Sequence, residues 1–315
     1  MNETAIKTES LPQKVERPQF KPGWYPNLSN EEYHGSAGYG SSTLKMINEM
    51  PYSKMDWKRK HPEPPSAAMQ LGTAVHTMAL EPDKVESEIV AMPYFNGRTN
   101  QGKADKEKFY QDNAGKLILS EADYEKAEAM ADRLRAHPQI GECYLNPDLK
   151  GIAEQSVFYW YNPEDWDNNH DYRVMCKVRP DWIVPGHPII FDLKTTRDAT
   201  ETEFAKVIKK LSYHLSAAMY LDGCNRNPGF RQAMGVERFE KFVWILVENE
   251  PPYECRSFEL SNKDFEDGGI LYHSAVRRLH QYKQSAWKGY GAFDGKEYQP
   301  ITTVIEAPNW GNKIV

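Results

Sequence analysis

Several stretches of the chain carry apolar residues at helical spacing. Between Ser66 and Pro82, the residues Leu71, Val75 and Met78 lie at positions i, i+4 and i+7, on one face of a helix. Proline then ends the pattern. The same kind of pattern predicts further helices over residues 44–50, 120–137, 201–222 and 261–287.

Other stretches are rich in β-branched and aromatic residues, which favour strands. They predict strands over residues 152–160, 172–184, 189–195, 239–248 and 252–260. Residues 95–119 are polar without either period and predict a loop. We therefore expect an α/β domain with a mixed central sheet flanked by helices.

The composition is that of a globular protein, since 40% of the 315 residues are hydrophobic and 27% are charged. The net charge of -6 does not exclude a basic nucleic-acid-binding face, because the distribution of charge matters more than its sum. The four cysteines form no C-x-x-C pair, which argues against a zinc ribbon and fits a reducing cytoplasm. No signal peptide and no membrane-spanning run is apparent, so we expect a cytoplasmic protein without a membrane partner.

The segment RPDWIVPGHPIIFDLKTT contains the strongest chemical signal. Residues 185–188 form a predicted turn between two apolar strands, and this turn places Asp181 directly opposite Asp192. Opposed residues have Cβ atoms about 4.5–5.5 Å apart, and Lys194 points from the same face as Asp192. Two such carboxylates repel, and a divalent cation would compensate them. The alternative is a structural Asp–Lys pair, and a register shift of one residue would separate the carboxylates.

Three further features have both a structural and a functional interpretation. The hydroxyls of Ser41 and Ser42 could cap the helix that follows them, or that helix start could bind phosphate. Lys58 and Arg59 belong to a basic cluster that could contact DNA or simply be solvated. His76 lies off its helix's apolar stripe and one turn after Gly72, so it could be a structural histidine or lie beside a ligand.

Five ordered segments resemble exonuclease VIII of the RecE type, a family of PD-(D/E)XK nucleases. They are EYHGSAGYGSSTLKMI from residue 32, GTAVHTMALEP from 72, VRPDWIV from 178, FDLKTT from 191 and YHLSAAMYLDG from 213. The resemblance covers about residues 24–290. It implies a PD-(D/E)XK restriction-endonuclease-like core. With it we expect a flexible arm over residues 1–22, an exonuclease domain over 23–290 and a tail over 291–315.

The resemblance assigns roles to the residues of the hairpin. Asp181 and Asp192 would bind Mg²⁺, for which Mn²⁺ would substitute, and the backbone carbonyl of Leu193 would be a further ligand. Lys194 would orient or activate the attacking water and stabilise the charge that develops on the phosphate. Oxygen ligands with at most one imidazole favour these ions over zinc.

The resemblance also assigns roles outside the hairpin. His76 corresponds to a helical histidine near the metal in the related RecB-like nucleases, and Glu154 to an upstream acid that is a ligand or a partner of one. Tyr220 matches the tyrosine of the family's Q-x-x-x-Y pattern, but Ser216 stands in place of the glutamine. The candidate DNA contacts are Ser41, Ser42, Lys58, Arg59, Tyr213 and Tyr220.

The activity implied by the resemblance is the digestion of linear double-stranded DNA from an end, 5′ to 3′. This would leave 3′ single strands for an annealing protein in phage-type recombination, with the enzyme assembled as a tetrameric ring. Two alternatives stay open: an endonuclease that uses the same core, and an inactive DNA-binding module.

Overall fold

The structure is a computed structural model, which describes residues 17–161 and 173–284. Within these ranges, eleven α-helices and ten strands form the domain. The helices are α1 (Asn30–Gly35), α2 (Ser41–Glu49), α3 (Tyr52–Lys60), α4 (Ala67–Leu80), α5 (Val85–Glu88), α6 (Asn100–Asp112), α7 (Glu121–Ala136), α8 (Glu201–Lys210), α9 (Tyr213–Asn225), α10 (Pro228–Ala233) and α11 (Asn262–Gln284). The strands are β1 (Gly23–Tyr25), β2 (Ile89–Met92), β3 (Leu117–Ser120), β4 (Ile152–Ala153), β5 (Ser156–Tyr161), β6 (Val174–Val178), β7 (Trp182–Ile183), β8 (Ile189–Thr196), β9 (Lys241–Glu248) and β10 (Cys255–Glu259).

The central sheet has five strands in the order β10, β9, β8, β7, β4. Strands β8 and β9 run parallel, whereas the other neighbours are antiparallel, so this sheet is mixed. A three-stranded antiparallel sheet has the order β1, β5, β6, and β2 pairs in parallel with β3. The predicted α/β class, with a mixed sheet flanked by helices, is confirmed.

The alternating side chains of β9 connect two cores. Phe242 and Trp244 belong to one buried cluster, and Val243 and Ile245 belong to another. Successive side chains of a strand point to opposite faces of the sheet, so both faces are covered. This explains why β9 has a continuous apolar run instead of a polar–apolar alternation.

Helices cover the two faces of the central sheet. On one side α4 and α7 contribute buried residues such as Val75 and Leu134. On the other side α2, α8, α9 and α11 contribute others, including Phe204 and Leu215. The hydroxyl of Ser120 caps α7, because it accepts a hydrogen bond from the Asp123 N–H at 3.1 Å.

Residues 95–119 do not form the predicted loop. They contain α6, whose first turn is capped by the hydroxyl of Thr99 accepting from the Gly102 N–H at 3.0 Å, and most of β3. Helix α6 is polar and largely exposed, so its sequence has no apolar stripe to indicate a helix.

The helix predicted over residues 201–222 consists of two helices. Ser212 has φ of 50°, a left-handed conformation that separates α8 from α9. Both helices bury apolar residues in the same core, Ile208 before the break and Leu215 after it. The apolar pattern therefore continues across a break in the backbone and hides it.

Two predicted strands are also interrupted, and at each interruption the chain crosses between the two larger sheets. The strand predicted over 152–160 divides into β4 and β5 at Glu154, which has φ of 52°. The strand predicted over 172–184 divides into β6 and β7, where Pro180 has no N–H to donate to a ladder. Tyr172 itself lies outside the described residues.

The predicted N-terminal arm is described only from residue 17 onwards. Its final part contacts the domain: the ring of Phe20 stacks on Phe158 at 4.8 Å, and the carbonyl of Pro18 accepts from the Ala37 N–H at 2.9 Å. Residues 1–16 and the predicted tail over 291–315 lie outside the described residues. In the part of the chain that the structure describes, no helix combines the length and the apolar character needed to cross a bilayer.

Candidate metal centre

The β7–β8 hairpin has the predicted register. Its paired residues are Trp182 with Phe191 and Ile183 with Ile190. Continuing this register by one residue brings Asp181 opposite Asp192. Both carboxylates are buried, with 9% and 7% of the residue exposed.

Strand β7 is two residues long, so it does not cover the backbone of β8 at Leu193. The Leu193 N–H instead donates to Oδ2 of Asp181 at 2.8 Å, and its carbonyl oxygen lies 2.6 Å from Nε2 of His76. A carbonyl can only accept, so Nε2 is the donor and, in the neutral ring, Nδ1 keeps its free lone pair. That nitrogen lies 3.6 Å from Oδ2 of Asp181.

His76, Glu154 and Asp181 form a group that could hold a metal ion. One ligand atom from each residue lies within 4.8 Å of the others. The three come from α4, the break between β4 and β5, and the start of the hairpin. Two carboxylates and one imidazole are a donor set that suits Mg²⁺ or Mn²⁺, so these residues fit the divalent ion that the fold implies.

The other two predicted ligands lie next to this group. Asp192 is held by Lys194, whose Nζ is 2.6 Å from its Oδ2. The Leu193 carbonyl is near His76 and lies 3.1 Å from the same Nζ. These two contacts use both lone pairs of the carbonyl oxygen, so Leu193 could bind a cation only if one of the two donors moved away.

Two carboxyl groups of the centre are buried beside a third, Asp181. Burial raises the pKa of Asp192, Asp181 raises it further, and Lys194 opposes this change. Burial, followed by Asp181, raises the pKa of Glu154 to about 8 against the effect of Arg179. Burial is the main cause of both raised pKa values, and the neighbouring Asp181 carboxylate adds to it, so a cation bound here would lower both pKa values.

Lys194 is the one ammonium group that the hairpin itself supplies to these carboxylates. Its Nζ lies 2.6 Å from Asp192 and 3.6 Å from Asp181. Burial lowers the pKa of Lys194, but the two carboxylates raise it by more, so the net pKa is above its usual value. The side chain is therefore held as a cation beside the group of candidate ligands.

Sequence reasoning missed two cations beside the centre. Arg179 lies 3.7 Å from Glu154. It directly precedes Pro180–Asp181 in the sequence, and this position could have indicated that it lies near the centre. Lys45 has a pKa lowered to about 8, chiefly by burial, although the charge of Asp192 raises it. It follows Ser41 by one helical turn, and only the fold brings it near the hairpin.

The two tyrosines of α9 that were predicted to contact DNA pack beside the centre. Tyr213 stacks on Trp244 with 6.4 Å between ring centroids, and Nζ of Lys45 lies 4.8 Å from its ring. Tyr220 meets the ring of Phe242 edge-on at 5.7 Å. Ser216, three residues after Tyr213 and four before Tyr220, shares their helix face. The role of Tyr213 and Tyr220 as DNA contacts stays a prediction.

The two basic residues predicted to contact DNA, Lys58 and Arg59, have partners within the protein. The guanidinium of Arg59 lies 4.4 Å from the ring of Tyr39 and donates toward the carbonyls of Ala37 and Gly38. Lys58 forms an exposed ion pair with Glu63 at 3.9 Å. An exposed pair of this kind contributes little to stability, so Lys58 can still reach a phosphate.

The predicted hydroxyl cap of α2 is wrong. Gly40 is the N-cap residue and no side chain caps the helix, because Ser41 and Ser42 already lie in its first turn. Phosphate binding at this helix start stays a prediction.

The fold and this centre define the class of the protein, a PD-(D/E)XK nuclease-like domain. The chain belongs to the family described as a PDDEXK-like domain of unknown function, DUF3799, whose model matches residues 40–290. No curated protein matches the chain.

One solved structure shares the fold of this chain. A protein from Eubacterium rectale named "Putative exonuclease" is similar with a TM-score of 0.52 and 15% identity, covering 80% of this chain and 85% of that chain. At this identity the similarity shows a shared fold and nothing more. The structure of SSO0001 aligns with a TM-score of 0.28 and 15% identity over 50% of this chain and 67% of that chain, which is too weak to support an argument.

Proposed function

We propose that this protein is a divalent-metal-dependent exonuclease that hydrolyses linear double-stranded DNA from an end. The observation that carries the proposal is the convergence of His76, Glu154 and Asp181 beside the buried Asp192–Lys194 pair. These residues come from distant parts of a chain that belongs to a PDDEXK-like family.

The side chains of the centre have distinct proposed roles. Asp181, Glu154 and His76 would hold Mg²⁺ or Mn²⁺ together with Asp192 and the Leu193 carbonyl. When bound, the ion supplies Lewis-acid chemistry to the phosphate and lowers the pKa of water. Lys194 orients the attacking water and stabilises the negative charge that accumulates on the phosphate in the transition state.

The exonuclease assignment rests on resemblance. The sequence resembles exonuclease VIII in five ordered segments, and the name of the Eubacterium rectale protein contains the same activity. A 5′ to 3′ direction, a tetrameric ring, a cytoplasmic location and an annealing partner in recombination belong to the same proposal. An endonuclease is the first alternative, because the same core serves both reactions.

Digestion of two DNA substrates tests the proposal. A linear duplex labelled at one 5′ end and a covalently closed circle of the same sequence are incubated with Mg²⁺, with Mn²⁺ or with excess chelator. We expect the linear duplex to be shortened from its ends, the circle to stay intact, and chelator to stop the reaction.

Each other outcome is informative. Cleavage of the closed circle would identify an endonuclease, and binding without cleavage of either substrate would identify an inactive module. Full activity in chelator would overturn the metal assignment. The matched control is Lys194→Ala, which should not shorten the linear duplex measurably in the time that the wild type needs to digest it.

A further inference from the structure

Arg179 joins the candidate metal centre to the N-terminal part of the chain. Its side chain is 5% exposed, and its Nη1 lies 3.7 Å from Oε2 of Glu154. The same Nη1 donates to Oδ1 of Asn30 at 2.7 Å, and Nη2 donates to the carbonyls of Leu28 and Ser29 at 2.7 and 3.2 Å. One guanidinium therefore contacts the carboxylate and three successive residues just before and at the start of α1.

Two further contacts fix the orientation of this guanidinium. Nε donates to the hydroxyl of Ser156 at 2.8 Å, and the group lies 4.2 Å from the ring centroid of Tyr33. The planar fork of arginine presents its donors in fixed directions, so these contacts leave it a single orientation. Nη1 is thereby aimed at Glu154.

Glu154 needs external support to remain in the metal group. It lies at the break between β4 and β5 with φ of 52°, a conformation that costs a non-glycine residue free energy. Its backbone N–H donates to the Asp181 carbonyl at 3.2 Å, which fixes the main chain. Its side-chain carboxylate forms an ion pair with Arg179.

We propose that Arg179 is a positioning residue, which holds the Glu154 carboxylate in the metal group and makes that position depend on Leu28, Ser29 and Asn30. The inference rests on the proposed metal site. It also extends that site beyond the family match, which begins at residue 40. Residues that support a ligating carboxylate commonly change metal affinity by about 10–100-fold when they are replaced.

The test measures the binding of Mn²⁺ alone to the full chain by calorimetry, without DNA. Arg179→Lys keeps the charge but removes the planar fork, and we expect about tenfold weaker Mn²⁺ affinity. The same substitution is then made in a Glu154→Gln background, where we expect it to cause no further loss. Such non-additivity is the signature of two residues that act through one another.

A milder pair of variants keeps the test decisive if Arg179→Lys does not fold. Asn30→Ala removes the acceptor that orients Nη1 and should weaken Mn²⁺ binding in the same direction. Asn27→Ala changes a neighbouring exposed asparagine and should leave the affinity unchanged. Melting temperatures recorded beside the affinities separate a loss of folding from a loss of metal.

Three outcomes would overturn the inference. Affinities equal to wild type in both Arg179→Lys and Asn30→Ala would show that Arg179 is purely structural. Equal losses in the Glu154 and Glu154→Gln backgrounds would show the same. Tighter Mn²⁺ binding in Arg179→Lys would mean that the contacts of the guanidinium hold the Glu154 carboxylate away from the metal instead of in its place. If the wild type itself binds no Mn²⁺, the proposed metal site is wrong and the inference fails with it. In the first three cases the wild type binds Mn²⁺, so only the role of Arg179 is wrong.

Discussion

Lys194 lies between two buried carboxylates and cannot be replaced there by an uncharged side chain without consequence. In the proposed mechanism, Lys194→Ala removes a positive charge from the place where the transition state gains negative charge. We expect kcat to fall by about 100-fold or more while DNA affinity is largely kept. Single-turnover cleavage of an end-labelled duplex measures the first quantity, and fluorescence anisotropy measures the second.

Two variants complete the Lys194 experiment. Asp192→Asn should be comparably inactive, since it removes the partner of the same ion pair. Lys206→Ala is the matched control, because Lys206 pairs with Glu203 on the exposed surface of α8. Turnover near wild type in Lys194→Ala or Asp192→Asn would mean that the hairpin is structural.

His76 is the residue for which a structural and a functional role differ most. It contacts the Leu193 carbonyl and Asp181, and its side chain is 23% exposed. If it helps to hold the metal, His76→Ala should cripple cleavage, retain a folded protein and recover partly at high Mn²⁺. If His76 is structural, His76→Ala should instead lower the free energy of unfolding by about 1–3 kcal/mol, because it leaves a buried partner unpaired.

Thermal melts and nuclease rates on the same His76→Ala preparation distinguish the two roles. A lowered melting temperature together with unchanged specific activity would remove His76 from the site.

At the scale of elements, helix α9 packs closely against the three-stranded sheet. A Cβ added at Gly223 would lie 2.5 Å from the Tyr159 ring and 3.0 Å from Cγ2 of Val178. The ring cannot easily yield, because its hydroxyl is hydrogen-bonded to that of Tyr272 at 3.0 Å. Gly223→Ala should therefore destabilise the protein by about 1–3 kcal/mol despite the better helix propensity of alanine.

The control for Gly223→Ala lies in α11. A Cβ at Gly269 would meet nothing within 4 Å. Gly269→Ala should therefore show only the higher helix propensity of alanine and stabilise the fold by about 1 kcal/mol. Urea denaturation of both variants measures the change in the free energy of unfolding. If both variants were stabilised, the close approach of α9 to the sheet would be contradicted.

At the scale of the whole molecule, the metal should stabilise the folded state. An ion that binds only the native protein adds about 2.7 kcal/mol to the free energy of unfolding at 100 times its Kd. We expect Mg²⁺, Mn²⁺ and Ca²⁺ each to raise the melting temperature, while Ca²⁺ supports little cleavage. Differential scanning calorimetry with and without chelator measures the shift.

The control for this shift is Asp181→Asn, which removes a candidate ligand. It should abolish most of the increase without a comparable effect on the metal-free melting temperature. An undiminished increase would show that the ions stabilise the protein elsewhere.

The hairpin was predictable from sequence because its information is local. Turn residues and the two-residue period of a strand fix the register, which the pairing of Ile183 with Ile190 confirms. The α/β class followed from the order of apolar patterns. Helix α6 was missed because it has no apolar stripe, and the break at Ser212 was missed because the stripe continues across it.

By itself, the sequence determined the elements that bury a face and the register of the β7–β8 hairpin. Only the tertiary structure decided that His76 and Glu154 meet at Asp181, and that Arg179 and Lys45 lie beside them. The physical reason is the range of the interactions. The apolar pattern of a strand or helix depends on residues a few positions apart. The centre depends instead on the shortness of β7, which leaves Leu193 uncovered, and on the places where the chain crosses between two sheets.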